Sequence, residues 1–395
     1  MYKYTGIVSI FCLCLCVAGA AQAQCVRQDL FEPVDKHVHG SSIVQCPDGG
    51  YLACWFHGSG ERTADDVQVL GARKPAGADA WSPVFPMADT PGFPDCNPVL
   101  YIDAEKRLWM FWIAVMAHGW ENSLLKYRRA DEYEGEGPPE WNWQGVIMLK
   151  PGEAFQPTIE EKFDELNMEG GMWAEYALPY TRMVIEAAGD PLKRQMGWMT
   201  RIHPLTLPSG RILLPLYSDG FNVSLVAISD DNGATWRASR PMVGAGPIQP
   251  TLVRRDNGDI VAYLRDSGDA PPRAMVSVST DDGETWSAAV DSAIPNPGSS
   301  LEAIELGSGA WVLVLNDTPF GRGRLSAWLS EDEGETWTHK RVIEPSDPLP
   351  GRSFSYPSVI QDRDGRIHAT YSVRREDGGT IREAVFTEGW IRAGE

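Results

Sequence analysis

The octapeptide SDDNGATW, at residues 229–236, recurs as STDDGETW at 279–286 and as SEDEGETW at 330–337. The first serines of the three copies are 50 and 51 residues apart, and a fixed period of that size is typical of propellers and related repeat arrays. Each copy follows a run of alternating apolar residues and precedes a second short run, which indicates two strands joined by a hairpin. The repeat therefore predicts one turn in each of three blades.

The composition of the octapeptide indicates a structural turn. The Ser and Asp side chains are expected to bond backbone amides across the bend, the glycine to take a positive φ and the tryptophan to pack inward. The glycines are Gly233, Gly283 and Gly334, and the tryptophans are Trp236, Trp286 and Trp337. A solvated turn carboxylate needs no further role, so we place any chemistry elsewhere on the chain.

Strand–turn–strand openings extend the repeat to both ends of the chain. They occupy residues 37–56, 98–115, 204–218, 249–266, 300–317 and 356–373, and all but the second have a glycine in the turn. Abundant glycine and proline and the near absence of helical periodicity agree with an all-β chain. We predict an all-β, six-bladed β-propeller with four-stranded antiparallel blades.

The first 23 residues have the pattern of a cleaved signal peptide, with one lysine, an apolar stretch and small residues near the expected cleavage point. We expect residues 24–395 to form a single propeller domain that is secreted or periplasmic. Residues 150–198 break the period, and we interpret them as an insertion with one possible short helix. This segment is expected either to overhang the axial pocket or to be a surface excursion.

Charge and cysteine usage limit the partners. The formal net charge of −19 argues against nucleic acid, because phosphate binding needs clustered Lys and Arg. Four cysteines follow the leader, and in an oxidising compartment they allow one or two disulfides whose pairing the sequence leaves open; they are Cys25, Cys46, Cys54 and Cys96. Their spacing is not that of a zinc site, and no cofactor and no membrane span are predicted. Oligomeric state is left open.

The three boxes, the six blades and the leader together resemble the sialidase superfamily with BNR (Asp-box) repeats. The box consensus in that family is S-x-D-x-G-x-T-W, and the stretch SYPSVIQDRDGRIHATYS at 355–372 is similar to sequences of the bacterial group. The resemblance covers nearly the whole mature chain. It implies a sialidase-like propeller acting on a glycan, with arginines that clamp a substrate carboxylate, a tyrosine nucleophile activated by a glutamate, and an acid for the leaving group.

The resemblance places two of these groups directly. Tyr356, ahead of the Asp364-Gly365 turn, stands where the nucleophile is expected, although a proline follows it. Arg322 lies three residues before Leu325 and eight before the box serine, which matches the pattern of a clamp arginine.

A second clamp arginine is implied in the preceding blade, where the resemblance leaves two candidates. Arg273 lies six residues before Ser279 instead of eight, and this offset keeps a strand side chain on the same face. Arg265, at the end of the preceding apolar run, is the competing candidate.

Two positions depart from the family pattern. Counting back nine residues from Asp48, where the leading clamp arginine is implied, reaches His39, and an imidazole cannot supply the paired hydrogen bonds of a guanidinium. Counting back eight from Asn257, where the activating glutamate is implied, reaches Gln249, which cannot accept a proton at neutral pH.

Other polar residues complete the candidate list. Glu61 and Asp66 lie in the first-blade loop, where the family carries its acid. His203 and Arg201, two residues apart in the third blade, would share a strand face and are further inner-strand candidates.

Three functions are consistent with this pattern. The first, which we favour, is an exo-acting sialidase-like glycoside hydrolase with Tyr356 as nucleophile. The second is a hydrolase or lyase for another sugar acid such as a uronate, with His39 or His203 as base and Tyr356 as acid. The third is a non-catalytic propeller that binds a glycan or a protein on its Trp-rich face.

Overall fold

The computed structural model describes residues 24–168, 177–268, 271–346 and 351–394, with the side chains of residues 177–180 left out. Its strands form six separate four-stranded sheets, each antiparallel throughout. This arrangement is the predicted six-bladed β-propeller with four-stranded antiparallel blades, and the prediction is confirmed. The predicted signal peptide, residues 1–23, lies outside the described residues.

The first three blades run in chain order. Blade 1 comprises β2 (His37–Gln45), β3 (Tyr51–Gly58), β4 (Gln68–Lys74) and β5 (Phe85–Ala88). Blade 2 comprises β6 (Asp95–Ile102), β7 (Leu108–Val115), β8 (Ser123–Ala130) and β9 (Trp143–Val146). Blade 3 comprises β10 (Leu205–Thr206), β11 (Ile212–Ser218), β12 (Val223–Ser229) and β13 (Arg237–Ala238).

The last three blades follow the same scheme. Blade 4 comprises β14 (Pro247–Arg254), β15 (Ile260–Asp266), β16 (Arg273–Ser279) and β17 (Val290–Pro295). Blade 5 comprises β18 (Glu302–Glu305), β19 (Trp311–Leu315), β20 (Leu325–Ser330) and β21 (His339–Glu344). Blade 6 comprises β22 (Ser353–Gln361), β23 (Arg366–Arg375), β24 (Gly378–Thr387) and, from the other end of the chain, β1 (Val26–Asp29).

Strand β1 closes the ring. It pairs antiparallel with β24, with Val26 opposite Val385 and Asp29 opposite Arg382. The Arg382 guanidinium donates to Asp29 at 2.6 Å through Nε. Blade 6 is therefore built from both ends of the described chain, and this pairing holds the ring closed.

The octapeptides form the turns between the third and fourth strands of blades 3, 4 and 5. In the first copy the Ser229 hydroxyl accepts the amide of Gly233 at 2.8 Å, and Asp231 accepts the amide of Thr235 at 2.8 Å. The same bonds recur in the other two copies. The glycines have φ of 80°, 86° and 83°, which confirms the predicted turn. Trp286 is buried, whereas Trp236 and Trp337 are half-buried.

The segment at 150–198 differs from the prediction of one short helix. Its described residues contain two, α1 (Phe155–Glu165) and α2 (Ala177–Gly189). Phe155, Ile159 and Phe163 recur at helical spacing and are buried together with Trp198 and Phe221. A third helix, α3 (Glu388–Arg392), follows the last strand, and short 3₁₀ turns span Met116–His118, Trp120–Asn122 and Lys193–Gln195.

The four cysteines after the leader are all unpaired thiols, three of them buried. No helix within the described ranges is long and apolar enough to cross a membrane.

Candidate active site

A pocket of about 420 Å³ opens on the propeller axis, and all six blades contribute side chains to it. Six of the residues predicted from sequence line it: His39, Glu61, Gln249, Arg265, Arg322 and Tyr356. They come from the inner strands, from the loops that join the second and third strands of the blades and, for Arg265, from the end of a second strand. The Asp-boxes lie on the other connections, between third and fourth strands, and none of their residues lines the pocket.

A repeated β-bulge aims side chains at the axis. The inner strands of blades 1, 2, 4 and 6 each shift register at one place. The residue at the shift has a positive φ in every case: Gly40 (63°), Asn97 (51°), Gln249 (53°) and Tyr356 (56°). Three of the four are not glycine. Because such a conformation costs a non-glycine residue about 1–3 kcal/mol, it is kept only where the surrounding structure imposes it. Bulges of this kind redirect a side chain out of the ladder.

In blade 1 the bulge residue is Gly40, so His39 reaches the pocket from the preceding position. A side chain at 40 has no room, because a Cβ there would lie 2.7 Å from the ring of Phe56. The position that the family resemblance assigns to a leading arginine is therefore occupied by an imidazole beside a glycine. The structure offers no guanidinium at that bulge.

The Tyr356 hydroxyl is held by two donors. Nη1 of Arg265 lies 2.9 Å from it and Nε2 of Gln249 lies 3.2 Å from it. No described group accepts the proton of this hydroxyl. A phenol oxygen that receives a cationic donor and an amide donor is arranged to carry negative charge, or to give its own proton to a bound molecule.

The Tyr356 ring is enclosed by cations and by His39. The guanidinium carbons of Arg201 and Arg322 lie 5.0 and 5.5 Å from its centroid. The His39 ring lies with its centroid 4.0 Å away at an interplanar angle of 35°. Guanidinium groups over an aromatic face stabilise it electrostatically and fix its position.

The side-chain amide of Gln249 is hydrogen-bonded to two tyrosine hydroxyls, those of Tyr356 and Tyr217. Its Nε2 also lies 3.2 Å from the hydroxyl of Tyr217, which accepts a second bond from Asn97 at 3.1 Å. Burial raises the pKa of Tyr217 well above its ordinary value, and the negative charge of Asp219 adds to the effect. Tyr217 is therefore a neutral hydrogen-bonding group at neutral pH.

Two carboxyl groups line the pocket, Glu61 and Asp219. Burial raises the pKa of Glu61, an effect that the neighbouring guanidinium groups of Arg62 and Arg322 oppose. Burial likewise raises the pKa of Asp219 against the opposing charge of Arg265. A carboxyl group with a raised pKa is suited to donate a proton near neutral pH.

His39 is neutral in this setting. Burial lowers its pKa well below the ordinary value, and the positive charges of His37 and Arg322 add to the effect. Its Nδ1 lies 2.9 Å from the hydroxyl of Ser372, which also accepts the amide of Gly40 at 3.0 Å. A neutral imidazole at the pocket can act as a hydrogen-bond partner or as a proton acceptor.

Two of the predicted substrate-binding residues lie beneath the pocket instead of lining it. Arg201 is buried and donates to the carbonyls of Ser41 and Pro357 at 3.1 and 2.9 Å. His203 is bound to Glu302 at 2.6 Å through Nδ1. Both side chains are bound to residues of other blades, and neither lines the pocket.

Asp66 and Arg273, two further predicted site residues, also lie outside the pocket lining. Asp66 accepts the amide of Ser59 at 2.9 Å and pairs with Lys36 at 3.0 Å, which fixes the base of the first-blade loop. Arg273, on the third strand of blade 4, donates to the carbonyl of Ala293 on the fourth strand at 2.9 Å. Neither lines the pocket, and Arg265 is the arginine that blade 4 presents.

Comparison with known proteins gives two partial sequence matches. The sequence profile of a family described as a BNR repeat-like domain matches residues 192–369. The chain is also 26% identical over 179 residues to an anhydrosialidase of Macrobdella decora, a match that spans 41% of this chain and 23% of that protein. Over less than half of its length, the chain is thus similar to BNR-repeat proteins and to this anhydrosialidase.

Solved structures show the same fold. A protein of unknown function from Dyadobacter fermentans superposes with a TM-score of 0.67 at 17% identity, covering 93% of this chain and 99% of that one. The intramolecular trans-sialidase from Ruminococcus gnavus, in complex with oseltamivir carboxylate, superposes with a TM-score of 0.65 at 13% identity, covering 91% and 96% of the two chains. At these identities the likeness establishes the fold of the sialidase-like chain and nothing finer.

The pocket residues of this sialidase-like propeller that were not predicted include Tyr217, Asp219, Trp120 and Arg374. A signal for Tyr217 does exist. Ile212 and Ile260 pair with the box serines of their blades, so Tyr217 and Arg265 stand at equivalent positions, five residues further on. Asp219, Trp120 and Arg374 lie at strand ends or in loops, where no repeat fixes the spacing.

Proposed function

We propose that this sialidase-like propeller is an exo-acting glycoside hydrolase that removes a terminal acidic sugar, such as a sialic acid, from a glycan. The observation that carries the proposal is the Tyr356 hydroxyl in the axial pocket, with the Arg265 guanidinium bound to it and Glu61 in the same lining. Sialidases are the glycosidases that use a tyrosine nucleophile.

In this proposal the sugar carboxylate is held by Arg265 and Arg322. Nη1 of Arg265 is bound to Tyr356, and Nη2 of Arg322 donates to the carbonyl of Gly298 at 2.8 Å. Each guanidinium retains further N–H groups for an anion, since arginine carries five donors. Two fixed arginines would orient the ring with its anomeric carbon toward the Tyr356 oxygen.

The bond-breaking step then uses Tyr356 and Glu61. Tyr356 first releases its hydroxyl proton to solvent. Its oxygen then forms a bond to the anomeric carbon while the glycosidic bond breaks, and the protonated Glu61 gives its proton to the departing oxygen. Water next attacks the anomeric carbon with Glu61 as base, which releases the free sugar and restores the tyrosine. The three guanidinium groups around Tyr356 favour negative charge on its oxygen, which substitutes in part for a base at Gln249.

One specific observation favours a second candidate, a lyase for a glycan that contains a uronate whose O4 carries a further sugar. Gln249 cannot accept a proton, whereas the neutral His39 lies against Tyr356. In such an elimination His39 takes the proton beside the sugar carboxylate, the Tyr356 hydroxyl protonates the leaving oxygen, and a carbon–carbon double bond forms in the sugar. A His39 tautomer whose Nδ1–H donates to Ser372 leaves Nε2 free to act as that base.

A product assay on residues 24–395 tests both candidates. The protein is incubated with sialyllactose, with uronate-capped oligosaccharides and with oligosaccharides that contain a uronate substituted at O4, and products are identified by mass spectrometry and ultraviolet absorbance. Release of a saturated acidic monosaccharide, lost in Tyr356→Phe, is the result expected for the hydrolase. An unsaturated product identifies the lyase, and no product from any substrate, with the glycan still bound by Tyr356→Phe, refutes both in favour of a binding propeller.

We further propose that the protein acts outside the cytoplasm, with residues 1–23 removed. The support is the apolar leader with small residues at Ala21 and Ala23. N-terminal sequencing of the protein recovered from the periplasm or medium of an expressing bacterium is expected to begin near residue 24. Recovery of the intact N-terminus from the cytoplasm contradicts it.

A further inference from the structure

One wall of the pocket, on blade 6, has polar side chains that the proposed reaction does not use. Strands β22 and β23 pair so that Ser353 lies opposite Arg374 and Ser355 lies opposite Ser372. Directly opposed residues, and residues two apart on one strand, point to the same face of a sheet. All four side chains line the pocket, and we refer to them as the sixth-blade wall.

The upper part of the sixth-blade wall has donors without partners. The hydroxyls of Ser353 and Ser355 bond to no other side chain or carbonyl within the described ranges. The guanidinium of Arg374 likewise has no carboxylate partner there, and it is exposed at the pocket mouth. Ser372 is different, because its hydroxyl already contacts His39 and Gly40. Three neighbouring groups are thus free to donate to a bound molecule.

The start of blade 1 adds positive charge beside this wall. Lys36 lines the same side of the pocket and shares its charge with Asp66 at 3.0 Å, whereas burial lowers the pKa of the neighbouring His37, whose imidazole adds no charge at neutral pH. The nearest carboxyl group to His37 is Glu61, with Nε2 and Oε1 4.0 Å apart. A cluster of Arg and Lys with serine hydroxyls is a surface for an oxyanion, and it stands out on a chain of net charge −19.

We propose that Arg374, Ser353 and Lys36 form a second anion subsite, which binds a sulfate ester or a second carboxylate on the same acidic sugar. This inference rests on the proposed function, because it assumes that the first carboxylate lies at Arg265 and Arg322. The preferred substrate is then a terminal sugar with two oxyanions. Arg374 is a specificity-determining residue in this scheme and takes no part in bond breaking.

Binding measurements test the subsite independently of catalysis. Isothermal titration with the full chain compares glucuronate with its monosulfate and with a glucuronate that carries a carboxymethyl ether. We expect at least one dianion to bind about tenfold more tightly than glucuronate, since one charge-assisted hydrogen bond is worth roughly that factor. The two dianions distinguish a sulfate from a carboxylate as the second group.

The variants locate the effect. In Arg374→Gln the dissociation constant of glucuronate divided by that of the tighter-binding dianion is expected to fall to about one. Arg240→Gln, which changes an exposed arginine outside the pocket, is expected to keep this ratio as in the unmodified protein. Equal weakening of both ligands by Arg374→Gln overturns the proposal, because Arg374 would then hold the first carboxylate. Equal affinities in the unmodified protein, or no binding of any anion, overturn it as well. The product assay decides the proposed function separately.

Discussion

The Tyr356 hydroxyl is bound by an amide, where the family resemblance implies a carboxylate. Gln249 donates to this oxygen at 3.2 Å and cannot receive its proton. The hydrolase and the lyase make different demands on this position. A hydrolase gains from a base that deprotonates the nucleophile, whereas a lyase needs Tyr356 to keep its proton until the leaving group departs.

Gln249→Glu separates these demands. If the protein is a hydrolase, the new carboxylate can accept the Tyr356 proton, and kcat is expected to rise by about tenfold or more, within the usual range for a positioned base. If it is a lyase, kcat is expected to fall. Steady-state kinetics on the substrate found in the product assay give the answer, and Gln249→Asn, which keeps the amide, is the matched control. An unchanged kcat in Gln249→Glu contradicts both assignments of Tyr356.

A second prediction at this scale concerns pH. Burial raises the pKa of Glu61, so the proton that it gives to the leaving group is retained to higher pH than on an ordinary glutamate. The plot of kcat/KM against pH is therefore expected to fall on its alkaline side through this raised pKa. In Glu61→Gln activity drops by about 100-fold or more and the alkaline limb disappears. Persistence of that limb in Glu61→Gln assigns the acid to another group, with Asp219 the next to replace.

These site residues differ in how far sequence could locate them. Counting from the turns and boxes predicts Tyr356, Gln249 and Arg322, because the strands of a blade fix the number of residues between its turn and the axis. The same count predicts His39, but it does not identify Gly40 as the bulge residue. Asp219 and Arg374 could not be predicted, because Asp219 follows β11 and Arg374 lies near the end of β23, where no repeated motif fixes the spacing.

At the scale of elements, the loops of blades 1 and 2 are joined over the pocket. Asp65 pairs with Nε2 of His118 at 2.8 Å, and the Arg62 guanidinium lies 5.3 Å from the centroid of the Trp120 ring. The backbone of Ala117 and His118 has φ of 51° and 56°, so the second loop is held in a conformation that is unfavourable for these residues. The contacts position Glu61, which lies in the first of the two loops.

Asp65→Asn is expected to loosen this contact. The pair is exposed, with 49% and 58% of the two side chains accessible, so its effect on the free energy of unfolding is small, about 0–1 kcal/mol. Activity is expected to fall by up to about tenfold through KM and kcat together, because the acid is less well placed. Thermal unfolding and kinetics are measured on the same preparation. A loss of stability without a loss of activity contradicts the assigned role.

The two helices at 150–198 show what the repeat could not predict. The sequence break in this segment was recognised, but α1 and α2 have no counterpart in the other blades. Their described residues bury an apolar face against Trp198 and Phe221, and none of them lines the axial pocket. Residues 169–176 of the segment lie outside the described residues, so an overhang remains a prediction only for them.

At the scale of the whole molecule, the ring is joined across its centre by polar contacts between blades. His203, near the start of blade 3, is hydrogen-bonded through Nδ1 to a carboxylate oxygen of Glu302 in blade 5 at 2.6 Å. Its Nε2 lies 3.0 Å from the carbonyl oxygen of Ile43 in blade 1. The other carboxylate oxygen of Glu302 accepts the amide of Val359 in blade 6 at 2.7 Å. Four blades thus meet at one buried ion pair.

This pair predicts how stability depends on pH. Burial opposes the charge of His203, but Glu302 outweighs it, and the pKa of His203 is raised above its ordinary value. The protonated form is therefore favoured by folding. Its contribution to the free energy of unfolding is fully present below pH of about 6.5, the unfolded value. It is lost as the pH rises through the higher folded pKa.

His203→Gln isolates this contribution. Removal of one partner leaves Glu302 buried without its cation, so the variant is expected to lose about 3–5 kcal/mol at pH 5.5. The deficit should narrow as the pH rises, because the unmodified protein loses the charge on His203 while the variant has none to lose. Urea unfolding of both proteins between pH 5 and pH 9 measures the difference. A deficit that is constant or grows with pH shows that His203 is neutral in the folded ring, and the four blades are then joined by neutral hydrogen bonds alone.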